Sequence, residues 1–200
     1  MSEIKERLAH VMDRIHEAEK RSPYGQKVTL VAVTKFHPLE DMEEAIGLGV
    51  SQVGENRVQE MEEKFKALTL PVVWNLQGHL QKNKVKKAVA MADLIQSGDS
   101  LDILREIDRR AGEIGKVQDV LLEFNISGEE SKHGMAPDSL DDVCREASLL
   151  PHIRLKGLMC MAPAYEDVEK TRPVFRKAHS MWEDMKKKFP EGQIPSCPWE

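Results

Sequence analysis

One lysine stands where an amine can do chemistry. Lys35 follows the apolar run Val28-Thr-Leu-Val-Ala-Val-Thr34, whose β-branched and large apolar residues predict a strand over 28–34 buried on both faces, as in a parallel sheet. The chain then turns through Phe36-His37-Pro38, and Pro38 suits the first turn of a helix. The amine is therefore expected at the C-terminal end of the first strand, at the mouth of the sheet or barrel that follows. Desolvation favours the uncharged form of an amine, and a free amine attacks aldehydes. A lysine snorkelling at a strand end is the plainer alternative.

Other polar groups recur after later strands: Glu55-Asn56, Gln77-Gly-His79, Asn125 with Lys132, and then Met159. Asn56 reads equally as an N-cap of the second helix, and Glu55 and Arg57 as structural or surface charges. His79 invites an acid–base reading, since imidazoles in general change charge near neutral pH, but no carboxylate adjoins it in sequence. Lys82, Lys84, Lys86 and Lys87 form a basic cluster that reads as a solvated helix face.

The elements that must position these groups alternate regularly. An amphipathic helix opens the chain, with Ser2 as its N-cap and Ile4, Leu8, Val11, Met12 and Ile15 on one face. Later strands are predicted at 51–54, 71–74, 93–97, 117–126 and 154–161, each followed by a helix, with Asp99 or Ser100 capping the helix after the fourth. The last helix turns Val174, Ala178, Met181, Trp182 and Met185 inward, and Gln193-Ile194 offers a seventh strand. Repeated strand–helix units predict an α/β fold with parallel strands. A doubly wound nucleotide site needs a glycine-rich turn after the first strand, and Lys35-Phe-His-Pro38 is the opposite of that. Functional groups at strand end after strand end favour a (β/α)8 barrel of the TIM type, here incomplete, with strands seven and eight largely missing.

At 200 residues the chain reads as one domain, 1–200. With 29 basic and 34 acidic residues, net −5, it has no global attraction for nucleic acid or anionic membrane. No apolar stretch approaches the roughly 20 residues of a membrane span, and the start has no apolar signal core, so a cytoplasmic location is expected. Cys144, Cys160 and Cys197 make no CxxC pair. Neither a disulfide framework nor a metal centre is expected from them.

Five segments in order carry a resemblance: Leu30-Val-Ala-Val-Thr-Lys35, Gly54-Glu-Asn-Arg-Val-Gln-Glu60, Leu76-Gln-Gly-His-Leu-Gln-Lys-Asn-Lys84, Asn125-Ile-Ser127 with Ser131-Lys132, and Gly157-Leu-Met159. The chain resembles the pyridoxal phosphate homeostasis protein family, single-domain relatives of the N-terminal barrel of alanine racemase. The resemblance implies that Lys35 holds pyridoxal 5′-phosphate as an internal aldimine. It further implies that Asn56 lies near the cofactor, that Lys132 stands by as a secondary acceptor of the aldehyde, and that Met159 packs on the ring. It implies a role in vitamin B6 homeostasis without turnover, and cofactor-dependent client enzymes as partners. Trp74-Asn-Leu-Gln77 departs from the family, where tryptophan is commonly followed by histidine.

The family continues with Leu-Ser-Met-Gly-Met-Ser and a phosphate-binding last strand, whereas this sequence reads Ile194-Pro-Ser-Cys-Pro-Trp-Glu200. Loss of one base from a codon run for Ile-Leu-Ser-Met-Gly-Met-Ser yields Ser-Cys-Pro-Trp-Glu and a stop, matching Ser196 to Glu200. The expectation is a frameshifted, C-terminally truncated barrel that offers no residue of the phosphate motif. Two rival functions follow: an amino-acid racemase-like enzyme on the same barrel, or a cofactor-free, non-functional truncated barrel.

Overall fold

The computed structural model describes residues 2–129 and 133–188. Six strands form one sheet: β1 (Val31–Val33), β2 (Gln52–Glu55), β3 (Val73–Leu76), β4 (Leu94–Gly98), β5 (Gln118–Glu123) and β6 (Ile153–Met159). Seven α-helices accompany them: α1 (Glu3–Arg21), α2 (Leu39–Gly47), α3 (Val58–Ala67), α4 (Val85–Met91), α5 (Leu101–Glu113), α6 (Leu140–Ala147) and α7 (Arg172–Lys188). Every pairing is parallel and the spatial order is the chain order, β1 to β6. A doubly wound sheet reverses its strand order at a switch point, and none occurs here. Winding in one direction puts the helices on one face and curls the other inward, the geometry of a TIM-type barrel. Among the described residues the barrel has six strands, and hydrogen bonds do not close it. The expected seventh strand at 193–194 and Cys197 lie outside the described residues.

The core lies between sheet and helices. Met42, Val53, Met61, Leu76, Val89, Ile95, Leu104, Ile107, Val120 and Leu122 are buried together there, one face of each strand against one stripe of each helix. Local signals behave as their chemistry requires: Ser2 and Ser100 cap α1 and α5, each side-chain oxygen accepting an N–H of the first turn. So Ser100, not Asp99, is the cap.

Three sequence expectations are corrected. The third strand runs two residues later than 71–74, because Pro71 has no N–H for a ladder while Asn75 and Leu76 pair with Leu94 and Ile95. The first strand is shorter than 28–34 and is not buried on both faces: Val33 is 44% exposed, since its inner face opens on the mouth. The third helix begins as a 3-10 turn, Lys82–Lys84, before α4 proper. On that helix Lys82, Lys86 and Lys87 are exposed, and Lys87 pairs with Glu62 at 2.6 Å.

Candidate functional site at the barrel mouth

Alternation along β1 puts Val31, Val33 and Lys35 on the face opposite Ala32 and Thr34. Thr34 faces the helices, donating its hydroxyl to Glu55 at 2.6 Å. Val31 faces the barrel interior, its Cγ1 within 3.2 Å of the point where a Cβ on Gly54 would stand. Lys35 is half-buried at the interior end of this row, and among the described residues no carboxylate or carbonyl takes its amine.

The backbone around Lys35 is held with unusual thoroughness. Thr34 to His37 form a turn closed by the His37 N–H on the Thr34 carbonyl at 3.0 Å. Phe36, its third residue, has φ 65°, a position that normally takes glycine, and a non-glycine residue there costs about 1–3 kcal/mol of strain. Helix α3 holds the turn in that shape. Lys64 Nζ donates to the Thr34 carbonyl at 2.6 Å, the Phe36 N–H donates to Glu60 Oε1 at 2.6 Å, and the Arg57 guanidinium lies 5.5 Å from the centre of the Phe36 ring. Lys64 also pairs with Glu55 at 2.7 Å and with Glu60 at 3.0 Å. Glu55 is fully buried, so it is structural, whereas Arg57 is exposed. Burial acts to raise the Glu60 carboxyl, but the Lys64 hydrogen bond, the Phe36 N–H and the Arg57 charge outweigh it and hold it below the usual range. Burial likewise acts to lower Lys64, and Glu55 and Glu60 outweigh it and hold the ammonium above its ordinary value.

A polar ladder crosses the interior beneath the mouth. Asn75, fully buried, donates to Gln52 and to the Val53 carbonyl, both at 3.2 Å, and accepts from Gln96 at 2.9 Å. Gln77 continues the ladder to Gln96 at 3.4 Å and lies over Gly54. The unusual Asn75 after Trp74 is thus a satisfied interior amide, bonded across three strands.

The remaining sequence-predicted residues divide. Asn56 is half-buried at the exit of β2, and its carbonyl is approached so closely by Gly78 that a Cβ there would stand 2.2 Å away. It is not the cap of α3: Arg57 holds that position, and no side chain caps it. Met159 ends β6, half-buried and paired with Glu123. Lys35, Asn56 and Met159 therefore share the C-terminal end of the sheet, while Lys132 lies outside the described residues. Asn125 shapes its own loop, its Oδ1 accepting from the Gly128 N–H at 3.1 Å and its amide donating to the Glu129 carbonyl at 2.8 Å.

Sequence reasoning missed Lys64, Glu60 and Asp99. Lys64 and Glu60 show only an i,i+4 pair, the signature of any solvated helix face. Asp99 was hidden by distance in sequence: its carboxylate lies 2.6 Å from His79 Nδ1, so His79 does have the carboxylate partner that its neighbours in the chain do not supply. At the opposite end of the barrel, a cleft of about 470 Å³ between α1 and the starts of β1 and β2 is lined by Leu8, Met12, Leu30 and Val50, with Lys5 as its one titratable residue.

A singly wound parallel barrel with a lysine at the exit of its first strand defines the class. The family model described as alanine racemase, N-terminal domain, matches residues 7–199. The relatives are more specific. The pyridoxal phosphate homeostasis protein of Aquifex aeolicus (strain VF5) is 37% identical over 186 residues, 92% of this chain and 82% of that protein. Its counterpart in Escherichia coli (strain K12) is 33% identical over 198 residues, 95% and 83% of the two chains. Among solved structures, PipY of Synechococcus elongatus PCC7942 without PLP superposes with TM-score 0.84 at 34% identity, covering 96% of this chain and 85% of that one. The same protein with PLP bound gives TM-score 0.79 at 31% identity, with the same coverage. An alanine racemase of Clostridium difficile 630 in complex with cycloserine, 14% identical with TM-score 0.71 over 88% of this chain and 49% of that one, shares the fold. The chain belongs to the alanine racemase N-terminal domain family, and within it to the pyridoxal phosphate homeostasis proteins.

Among the described residues no helix is long and apolar enough to cross a membrane.

Proposed function

We propose that this chain, acting as one domain, binds pyridoxal 5′-phosphate at the barrel mouth through the Lys35 amine and serves vitamin B6 homeostasis in the cytoplasm. One observation carries the reading: Lys35 ends the inward row of β1 with no partner for its amine among the described residues, on a backbone that α3 holds rigid. The likeness to PipY with PLP bound supports it. The donor set fits an aldehyde cofactor, because a positioned amine is the group that joins an aldehyde, and Gly78 lets the β2 and β3 exits close together beside it. When bound, the cofactor supplies an aldehyde and a conjugated ring that withdraws electrons from whatever amine it joins. Lys35 would hold the aldehyde carbon, with Asn56 at the exit of β2 beside it and Met159 offering an apolar, polarizable surface at the end of β6. Lys132 is a second amine for the same aldehyde.

The role is carrying, not turnover: the cofactor is kept off other amines and passed to client enzymes. The racemase-like alternative is tested by amino-acid turnover, which this reading expects to be absent. For the binding itself, the protein loaded with pyridoxal 5′-phosphate is reduced with borohydride and digested, and the modified peptide is mapped. Label on Lys35 is expected. Label on Lys84 or Lys132 with Lys35 untouched defeats the assignment.

A further inference from the structure

We propose that the barrel mouth also carries a divalent transition-metal site, of the zinc type, built from His79, Asp99 and His133. His79 follows β3, Asp99 follows β4, and His133 lies on the segment after β5, so three successive strand exits converge on one point. One ligand atom from each lies within 4.8 Å of those of the other two. Ligands held by zinc at about 2.0–2.2 Å in tetrahedral geometry stand roughly 3.3–3.6 Å apart, so the widest pair has to close by up to about 1.5 Å and the His79–Asp99 pair, at 2.6 Å, has to open by about 1 Å.

The donors differ in how firmly they are held. The Asp99 side chain is only 7% exposed, and its carboxylate lies 2.6 Å from His79 Nδ1. His133 is exposed, and its ring stacks on that of His79 with centroids 4.2 Å apart and planes 11° from parallel. Parallel rings cannot aim both lone pairs at one ion, so His133 must turn about its side-chain bonds. Its backbone stays in place when it does. Gly134, at φ 116°, packs so close to Asn125 that a Cβ would meet the Asn125 nitrogen at 2.6 Å, and the Met135 N–H bonds the Glu123 carbonyl at 2.8 Å.

Glu123, buried at the end of β5, lies within electrostatic reach of Asp99 and His79. Among the described residues neither Asp99 nor Glu123 pairs with a lysine or arginine. The Asp99 carboxylate thus has an imidazole as its nearest counter-group, and a divalent ion would neutralise it. Two imidazoles and a carboxylate suit zinc better than calcium or magnesium, and they leave a coordination position for water. The three residues are separated by whole strand–helix units, so no ligand spacing marks the site in sequence.

The test uses the whole chain, stripped with a chelator and titrated with Zn²⁺ by calorimetry. Binding of one Zn²⁺ per chain is expected. Affinity should fall about tenfold or more in H79A, D99N and H133A and stay unchanged in H10A, which lies on α1. Because His133 is exposed, H133A separates ligand loss from misfolding, and circular dichroism verifies its fold. No uptake by the parent chain, or uptake that H79A and H133A leave unaltered, overturns the proposal.

Discussion

Lys64 Nζ lies 2.6 Å from the carbonyl oxygen of Thr34, so a buried ammonium on α3 grips the peptide bond that leads into Lys35. The Thr34 carbonyl has two lone pairs, and the other accepts the His37 N–H that closes the turn. The lysine proposed to do chemistry is thus positioned by a second lysine that does none. The function proposed for the mouth therefore depends on an ion pair behind the sheet.

Removing that grip should cost stability and not merely precision. Lys64→Met leaves the fully buried Glu55 carboxylate without its cation, a loss of about 3–5 kcal/mol. Adding Glu55→Gln removes the stranded charge and should return part of the loss. Denaturant midpoints of the single and double variants decide it. A Lys64→Met loss below about 1 kcal/mol would show that the ion pair does not hold the turn.

The same network sets a pH window. Glu60 is held below its usual range in the folded state, so its contribution is present above the unfolded carboxyl value near 4.5 and is lost as pH falls through the lowered folded one. Lys64 is held above its usual value, so its contribution is complete below about 10.5 and is lost as pH rises through the raised folded one. The stability difference between the parent chain and the Lys64→Met, Glu55→Gln double variant, which leaves no stranded carboxylate, should therefore be flat from about pH 5 to 10 and shrink on both sides. A difference that peaks at acid pH would contradict the sign of both shifts.

The sequence carried the fold further than it carried the site. Alternating apolar runs and helical stripes, with Ser2 and Ser100 as caps, are local signals, and six strands with their helices followed from them. The position of Lys35 at a strand exit was legible because an apolar run ends on it. Lys64 was not, since a buried lysine and a solvated one look alike on an amphipathic helix until the carbonyl they reach is known. Asp99 and His79 meet only because parallel strands align their exits, a relation between distant residues that no local pattern encodes. Strand edges moved by one to three residues, and at β3 for a similar reason: Asn75 looks like a turn residue, but inside a barrel it has partners on both sides.

Two glycines separate backbone contact from side-chain contact. A Cβ at Gly78 would stand 2.2 Å from the Asn56 carbonyl oxygen and 2.8 Å from its carbon, so the β2 and β3 exits must move apart. At Gly54 the nearest atom, 2.5 Å away, is the end of the flexible Gln77 side chain. Gly78→Ala should therefore cost about 2–3 kcal/mol and lower cofactor retention by displacing Asn56, while Gly54→Ala costs about 1 kcal/mol. Thermal unfolding of the two variants, with absorbance of bound cofactor measured alongside, gives the comparison. Equal losses would mean that the close approach at Gly78 does not set the spacing of the mouth.

Lys35 itself should be dispensable for folding and indispensable for loading. Its amine makes no hydrogen bond or ion pair among the described residues, and its side chain is absent from the apolar core, so Lys35→Ala should change stability by less than about 1 kcal/mol. Lys35→Arg keeps the charge and much of the length but offers no amine that can be freed near neutral pH, because a guanidinium stays protonated. Both variants should lose the cofactor's bound absorbance, and Lys35→Arg should do no better than Lys35→Ala. Lys64→Met, measured at a temperature where it remains folded, should instead load weakly, since its Lys35 is present but unsupported. That ordering, with the parent chain above Lys64→Met and both Lys35 variants at background, distinguishes a covalent attachment point from a general positive charge. Retention by Lys35→Arg at the level of the parent chain would mean that charge alone holds the cofactor, and that the amine at the end of β1 is not where it is attached.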